Sequence, residues 1–135
     1  MFIARGVKLL DEITGDGAPV EQGAYHLLSI RLRLSKGDIV REPDRCFGCT
    51  WDRDVLAELG HSEEGTRVLE DGYYKFCVRI HRENLKGGYL YALKGMKVGG
   101  YRKVIIGPNL AHGEEGIPGV IPPNAKITAE IKVLR

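Results

Sequence analysis

Apolar residues recur at every second position along several stretches of this chain, the pattern of strands that bury one face. From His26 to Leu34 the even positions Leu28, Ile30, Leu32 and Leu34 are apolar, with Ser29, Arg31 and Arg33 between them. Ile127, Ala129, Ile131 and Val133 alternate in the same way with Thr128, Glu130 and Lys132, and Phe76, Val78 and Ile80 share one face of a third strand. Val104, Ile105 and Ile106 supply a further short strand, and Lys36-Gly37-Asp38 reads as a hairpin turn. A helical pattern occurs twice. One stretch runs from Asp52 to Leu59, with Asp52 as N-cap and Gly60 just past the end; the other runs from Tyr89 to Leu93 and is closed by Gly95. The pattern therefore predicts the α+β class: an antiparallel β-sheet with a short α-helix packed on it, and a second short helix elsewhere.

Eighteen glycines and six prolines agree with many short strands joined by turns. At 135 residues the chain has the size of one domain, spanning 1–135, with no internal repeat or low-complexity linker. Lysines and arginines number 20 against 18 acids, a net charge of +2 spread evenly, so nucleic acid is not expected as a partner. The first residues, MFIARGVKLLDE, meet charge too soon for a signal peptide, and no later run is long enough to span a bilayer. Neither a membrane partner nor an oligomer is expected, so the protein is read as a monomer. Three cysteines, Cys46, Cys49 and Cys77, are not a secreted disulfide framework, which points to a cytoplasmic location.

Three motifs carry a resemblance. Lys94 to Gly100 (KGMKVGG), Ile106 to Gly113 (IGPNLAHG) and Val120 to Ala125 (VIPPNA), in this order and at this spacing, strongly resemble the carboxy-terminal half of FKBP-type peptidyl-prolyl cis-trans isomerases. Gly15, Gly17, Gly23 and Gly37 match the family's turn glycines more loosely. The resemblance implies a curved antiparallel sheet wrapped around a short helix, with an apolar pocket between them. Pro122 and Pro123 cannot donate to a sheet ladder, so they belong to a turn or to the start of the strand near Lys126. Gly113, Gly116 and Gly119 suggest a flexible flap ahead of them.

Rotation about an X-Pro bond is opposed by about 18 to 20 kcal/mol of amide resonance, and no covalent step is needed to lower it. A pocket that desolvates the amide and favours its twisted form is sufficient, so no cofactor is expected. By the resemblance, Phe76, Tyr89, His112 and Ile121 would act on the prolyl bond, and Ile30, Val40, Leu85, Lys86 and Ala129 would hold the substrate. Tyr89 would serve as the platform beneath the prolyl ring, and the backbone N–H of Lys86 would donate to a substrate carbonyl. The pocket departs from the family, which usually has tyrosine at Ile30, phenylalanine at Val40, aspartate at Arg41, tryptophan at Tyr89, tyrosine at His112 and phenylalanine at Ala129. His112 would donate a hydrogen bond in place of a phenol, with a titration near neutral pH. The lost ring area at Val40 and Ala129 predicts a weak enzyme.

The segment from about 42 to 75 is longer than the family's usual connection and reads as an insertion. Small residues at Val40 and Ala129 coincide with new rings there, so Phe47 or Trp51 is expected to lean over the pocket as a replacement wall. A second expectation keeps Trp51 as the anchor of the insertion's own small core. Cys46 and Cys49 have the spacing of half a zinc site, for which His61 could supply a further ligand, or of a redox pair, or are simple thiols; no metal site is assigned. The leading function is isomerisation of X-Pro bonds in proline-containing peptides or unfolded chains. A noncatalytic peptide-binding or protein-binding module is the alternative, with a holdase chaperone third. All three presuppose an open apolar hollow beneath the flap.

Overall fold

The structure is a computed structural model that describes residues 1–47 and 70–135, together with the backbone of 67 and 68. Among these residues seven strands form one sheet: β1 (Phe2–Ala4), β2 (Val7–Ile13), β3 (Tyr25–Arg33), β4 (Arg67–Val68), β5 (Tyr74–Arg79), β6 (Tyr101–Ile106) and β7 (Ile127–Val133). Their order is β1-β2-β6-β7-β3-β5-β4, and every pairing is antiparallel. Helix α1 (Gly87–Leu93) packs on the sheet near β1, β2 and β6, and short 3-10 turns occupy Pro43–Cys46 and Pro108–Leu110.

The alternation in β3 and β7 decides which face is buried. Leu28, Ile30 and Leu32 stand opposite Val133, Ile131 and Ala129, all of them inaccessible to solvent or nearly so. Phe76 lies across from Leu28 on the other side of β3, so β5, β3 and β7 present one continuous apolar floor. On the opposite face Arg31 is paired with Glu130. The helix reaches this floor closely because position 88 is glycine; a Cβ on Gly88 would overlap the side chain of Ile106 and the carbonyl of Leu110. Arg102 secures the helix end by donating from Nη1 to the carbonyls of Ala92 (2.9 Å) and Lys94 (2.6 Å), while its Nε donates to Glu12.

Strands β1 and β2 lack a legible alternation, and the register explains why. Pairing with β6 slips between Leu9 and Asp11, a bulge that breaks the two-residue period and leaves Leu10 and Ile13 exposed. The turn at Lys36-Gly37-Asp38 forms as the sequence indicates, with Gly37 at φ +93° and Leu34 N–H donating to the carbonyl of Asp38. Residues of the 42–75 segment enter the sheet itself, since β4 and the first two positions of β5 pair within it. The helix expected over 52–59 lies outside the described residues.

The flap differs from its expectation. Rather than a loose glycine loop it is a hydrogen-bonded one: Gly113 N–H donates to Pro108, Gly116 to His112, Ile117 and Ile121 donate to each other's carbonyls, and Asn124 donates back to Gly113. Gly116 sits at φ +60°, and a Cβ there would overlap the Ile121 carbonyl oxygen. Glycine is present for a fixed conformation that other residues cannot adopt cheaply. Pro122 and Pro123 fall between this loop and β7, where no ladder bond is asked of them.

Candidate active site

The sheet floor, helix α1 and the flap converge on one place. Ile30 from β3, Phe76 from β5 and Ala129 from β7 form the floor, Tyr89 projects from α1, and His112 and Ile121 come from the flap. Val40 follows the hairpin, its N–H donating to the carbonyl of Leu32, and Leu85 precedes the helix. Eight of the nine side chains that the resemblance nominates are buried; Lys86, the residue ahead of α1, is exposed. The carbonyl of Lys86 accepts the N–H groups of Tyr89 and Leu90, so the first turn of α1 fixes its backbone.

The hollow expected here is filled. Phe76 and Tyr89 have no solvent exposure, and Val40 and Ile121 have 2% each. The occupant is Phe47. Its ring stacks on Phe76 with centroids 4.9 Å apart and meets Tyr89 nearly edge-on at 4.7 Å, while Tyr74 completes the aromatic cluster, 4.7 Å from Phe76 and 6.2 Å from Phe47 itself. The expectation that a ring of the 42–75 segment leans into this region thus describes Phe47; Trp51 lies outside the described residues. An open wall, however, would leave the floor accessible, and it is covered. A cleft bounded by Arg45, Phe47, Leu85 and Lys86 borders the ring, a second lies between Val40, Arg41 and Val120, and neither reaches Phe76 or Tyr89.

Sequence position explains how Phe47 gets there. Pro43 and Cys46 are the buried residues of the 3-10 turn, and Arg45 N–H closes it on the carbonyl of Glu42. Phe47 leaves the turn in an extended conformation at φ −133° and ψ 144°, which directs its side chain onto the floor. Nothing in the local pattern marks Phe47 as special, since its partners are 27 and more residues away along the chain.

His112 also differs from expectation. Burial, helped by the charge of Lys86, pushes its pKa down to about 4, so it does not titrate near neutral pH. Its Nε2 lies 2.9 Å from the hydroxyl of Tyr89, whose own pKa burial raises well above the usual phenol value. Both side chains are uncharged at pH 7 and hydrogen-bonded to each other. The Nε2 atom of His112 is therefore engaged by Tyr89 within the protein.

Cys46 has a free, buried thiol pushed up to about 12 by burial and the neighbouring Asp44. A thiol that holds its proton so firmly is a poor nucleophile at pH 7. Cys49 and His61, the other thiol and the further ligand considered with it, lie outside the described residues, and among those described no cluster of three metal-binding side chains occurs. No helix among the described residues is long and apolar enough to cross a membrane.

Residues 59–134, more than half of the chain, match the family model described as FKBP-type peptidyl-prolyl cis-trans isomerase. The chain belongs to that family. An FKBP9 peptidyl-prolyl cis-trans isomerase of Rattus norvegicus is 45% identical over 128 residues, covering 91% of this chain and 21% of the rat protein. The chloroplastic FKBP16-4 isomerase of Arabidopsis thaliana is 45% identical over 74 residues, 54% of this chain and 32% of the plant protein. The chain thus spans a third or less of the length of these relatives. The crystal structure of FkpA from Escherichia coli superposes with a TM-score of 0.61 at 21% identity, over 96% of this chain and 46% of that one, which establishes the FKBP fold. As an FKBP domain, this chain has an aromatic ring of its own in the hollow between sheet, helix and flap.

Proposed function

We propose that this domain is a peptidyl-prolyl cis-trans isomerase acting on X-Pro bonds of peptides or unfolded protein chains, and that it is a slow one. The observation that carries the reading is the convergence of Phe76, Tyr89 and Ile121, apolar and ring-bearing groups from β5, α1 and the flap, on one site sized for an aromatic or prolyl ring. Such a site removes an amide from water, which favours the twisted form in which resonance is lost. No acid or base is required. His112, neutral and bonded to Tyr89, would orient the platform rather than move a proton.

The closed hollow supports a second reading, a noncatalytic module that grips a peptide or partner domain at the cleft beside Phe47. An isomerisation assay on a proline tetrapeptide separates the two. Acceleration over background that Tyr89→Ala reduces tenfold or more favours the enzyme; none leaves the binding module. A monomer in a reducing, cytoplasmic setting completes the proposal, supported by the unbridged thiol of Cys46 and checked by light scattering and cell fractionation.

A further inference from the structure

Among all surfaces of the molecule, the place where Phe47 meets Phe76 and Tyr89 asks for explanation beyond packing. Phe76 is the floor and Tyr89 the platform of the proposed prolyl site, and both are entirely covered. We propose that Phe47 is an intramolecular ligand of this site, held in the position of a substrate's prolyl ring, so that the domain is autoinhibited until a peptide displaces it. The inference rests on the reading of the hollow as the prolyl site.

Three observations favour a displaceable ring over a permanent core residue. Phe47 is only partly buried while the residues beneath it are fully so, which makes it the outer layer of this cluster among the described residues. Its segment has weak outer ties. Arg45, itself largely exposed, reaches the flap carbonyl of Pro118 at 3.4 Å and the carboxylate of Glu42 at 3.8 Å, an exposed pair of little strength. Finally, the ring borders a cleft whose other walls include Arg45, Asn84, Leu85 and Lys86, so outward movement of Phe47 would join that cleft to the floor. A peptide arriving along Lys86 would meet Phe47 where its proline must enter.

The ring's own apolar burial sets the scale. Burying a phenylalanine side chain is worth enough to hold the open form at roughly one molecule in ten to one in a hundred. Apparent peptide affinity falls by the same factor, because only the open form binds.

The test measures binding of a proline tetrapeptide with leucine before proline, by NMR titration, to the wild-type chain, Phe47→Ala and Phe47→Leu. Expected is roughly ten- to hundredfold tighter binding by Phe47→Ala and a smaller gain by Phe47→Leu, with shifts at Tyr89 and His112 in each. In the wild-type chain the Phe47 ring signals should move as peptide saturates. Gain of binding without isomerisation upholds the plug and removes the catalytic reading. Binding that Phe47→Ala leaves unchanged or weakens, peptide saturation of the wild type with Phe47 unmoved, or no binding by any folded form overturns the proposal.

Discussion

The hydroxyl of Tyr89 and Nε2 of His112 lie 2.9 Å apart in a buried setting, one residue from the helix and the other from the flap. This bond ties the two elements that roof the hollow, and it fixes the orientation of the ring on which Phe47 rests. Removing the hydroxyl while keeping the ring isolates its contribution. Tyr89→Phe strands a buried imidazole nitrogen and should lower stability by about 1 to 2 kcal/mol, read as a reduced urea midpoint with an unchanged slope.

His112 makes the fold acid-sensitive well above the carboxylate range. Its folded pKa of about 4 lies below the ordinary histidine value of 6.5, so between these pH values the unfolded chain binds a proton that the folded one refuses. Stability therefore falls as pH drops from about 6.5 to about 4. His112→Gln should flatten the urea midpoint across that window while leaving behaviour below it intact.

Glu130 governs the next window down. Bidentate donation from Arg31 at 2.8 Å to each oxygen, with Arg33 at 2.8 Å beside it, holds its carboxyl at about 2. Below the ordinary value of 4.5 the unfolded chain takes up the proton first, and the stability that these bonds contribute at higher pH is lost as pH falls toward about 2. Glu130→Ala leaves Arg31 and Arg33, neighbours on one face of β3, without the carboxylate they share. A loss on the order of 2 kcal/mol at pH 7, screened in part by 0.5 M salt, is expected by thermal or urea denaturation.

The flap offers a conformational test. Gly116→Ala places a methyl group at positive φ against the Ile121 carbonyl, where the loop can relieve it only by shifting. A stability loss of about 1 to 2 kcal/mol should accompany faster amide exchange at Ile117 and Ile121, whose mutual bonds close the flap.

Much of this architecture is written in the amino-acid order. The strands β3, β5 and β7 follow from a two-residue alternation, because burial on one face of a pleated strand selects every second side chain. Helix α1 and the turns at Gly37 and Gly95 follow from local chemistry, and the three carboxy-terminal motifs point to the family. The bulge in β2 was illegible, since a slipped register erases the period that would reveal the strand. So was the bond between Tyr89 and His112, 23 residues apart, and with it the low pKa of a histidine whose burial no local pattern displays. The state of the hollow depended wholly on tertiary packing. Volume left by Val40 and Ala129 signals that something must fill the space, but only the folded chain brings Phe47 onto Phe76 and Tyr89, because contact between distant segments is a property of how the sheet, helix and connecting turn close together.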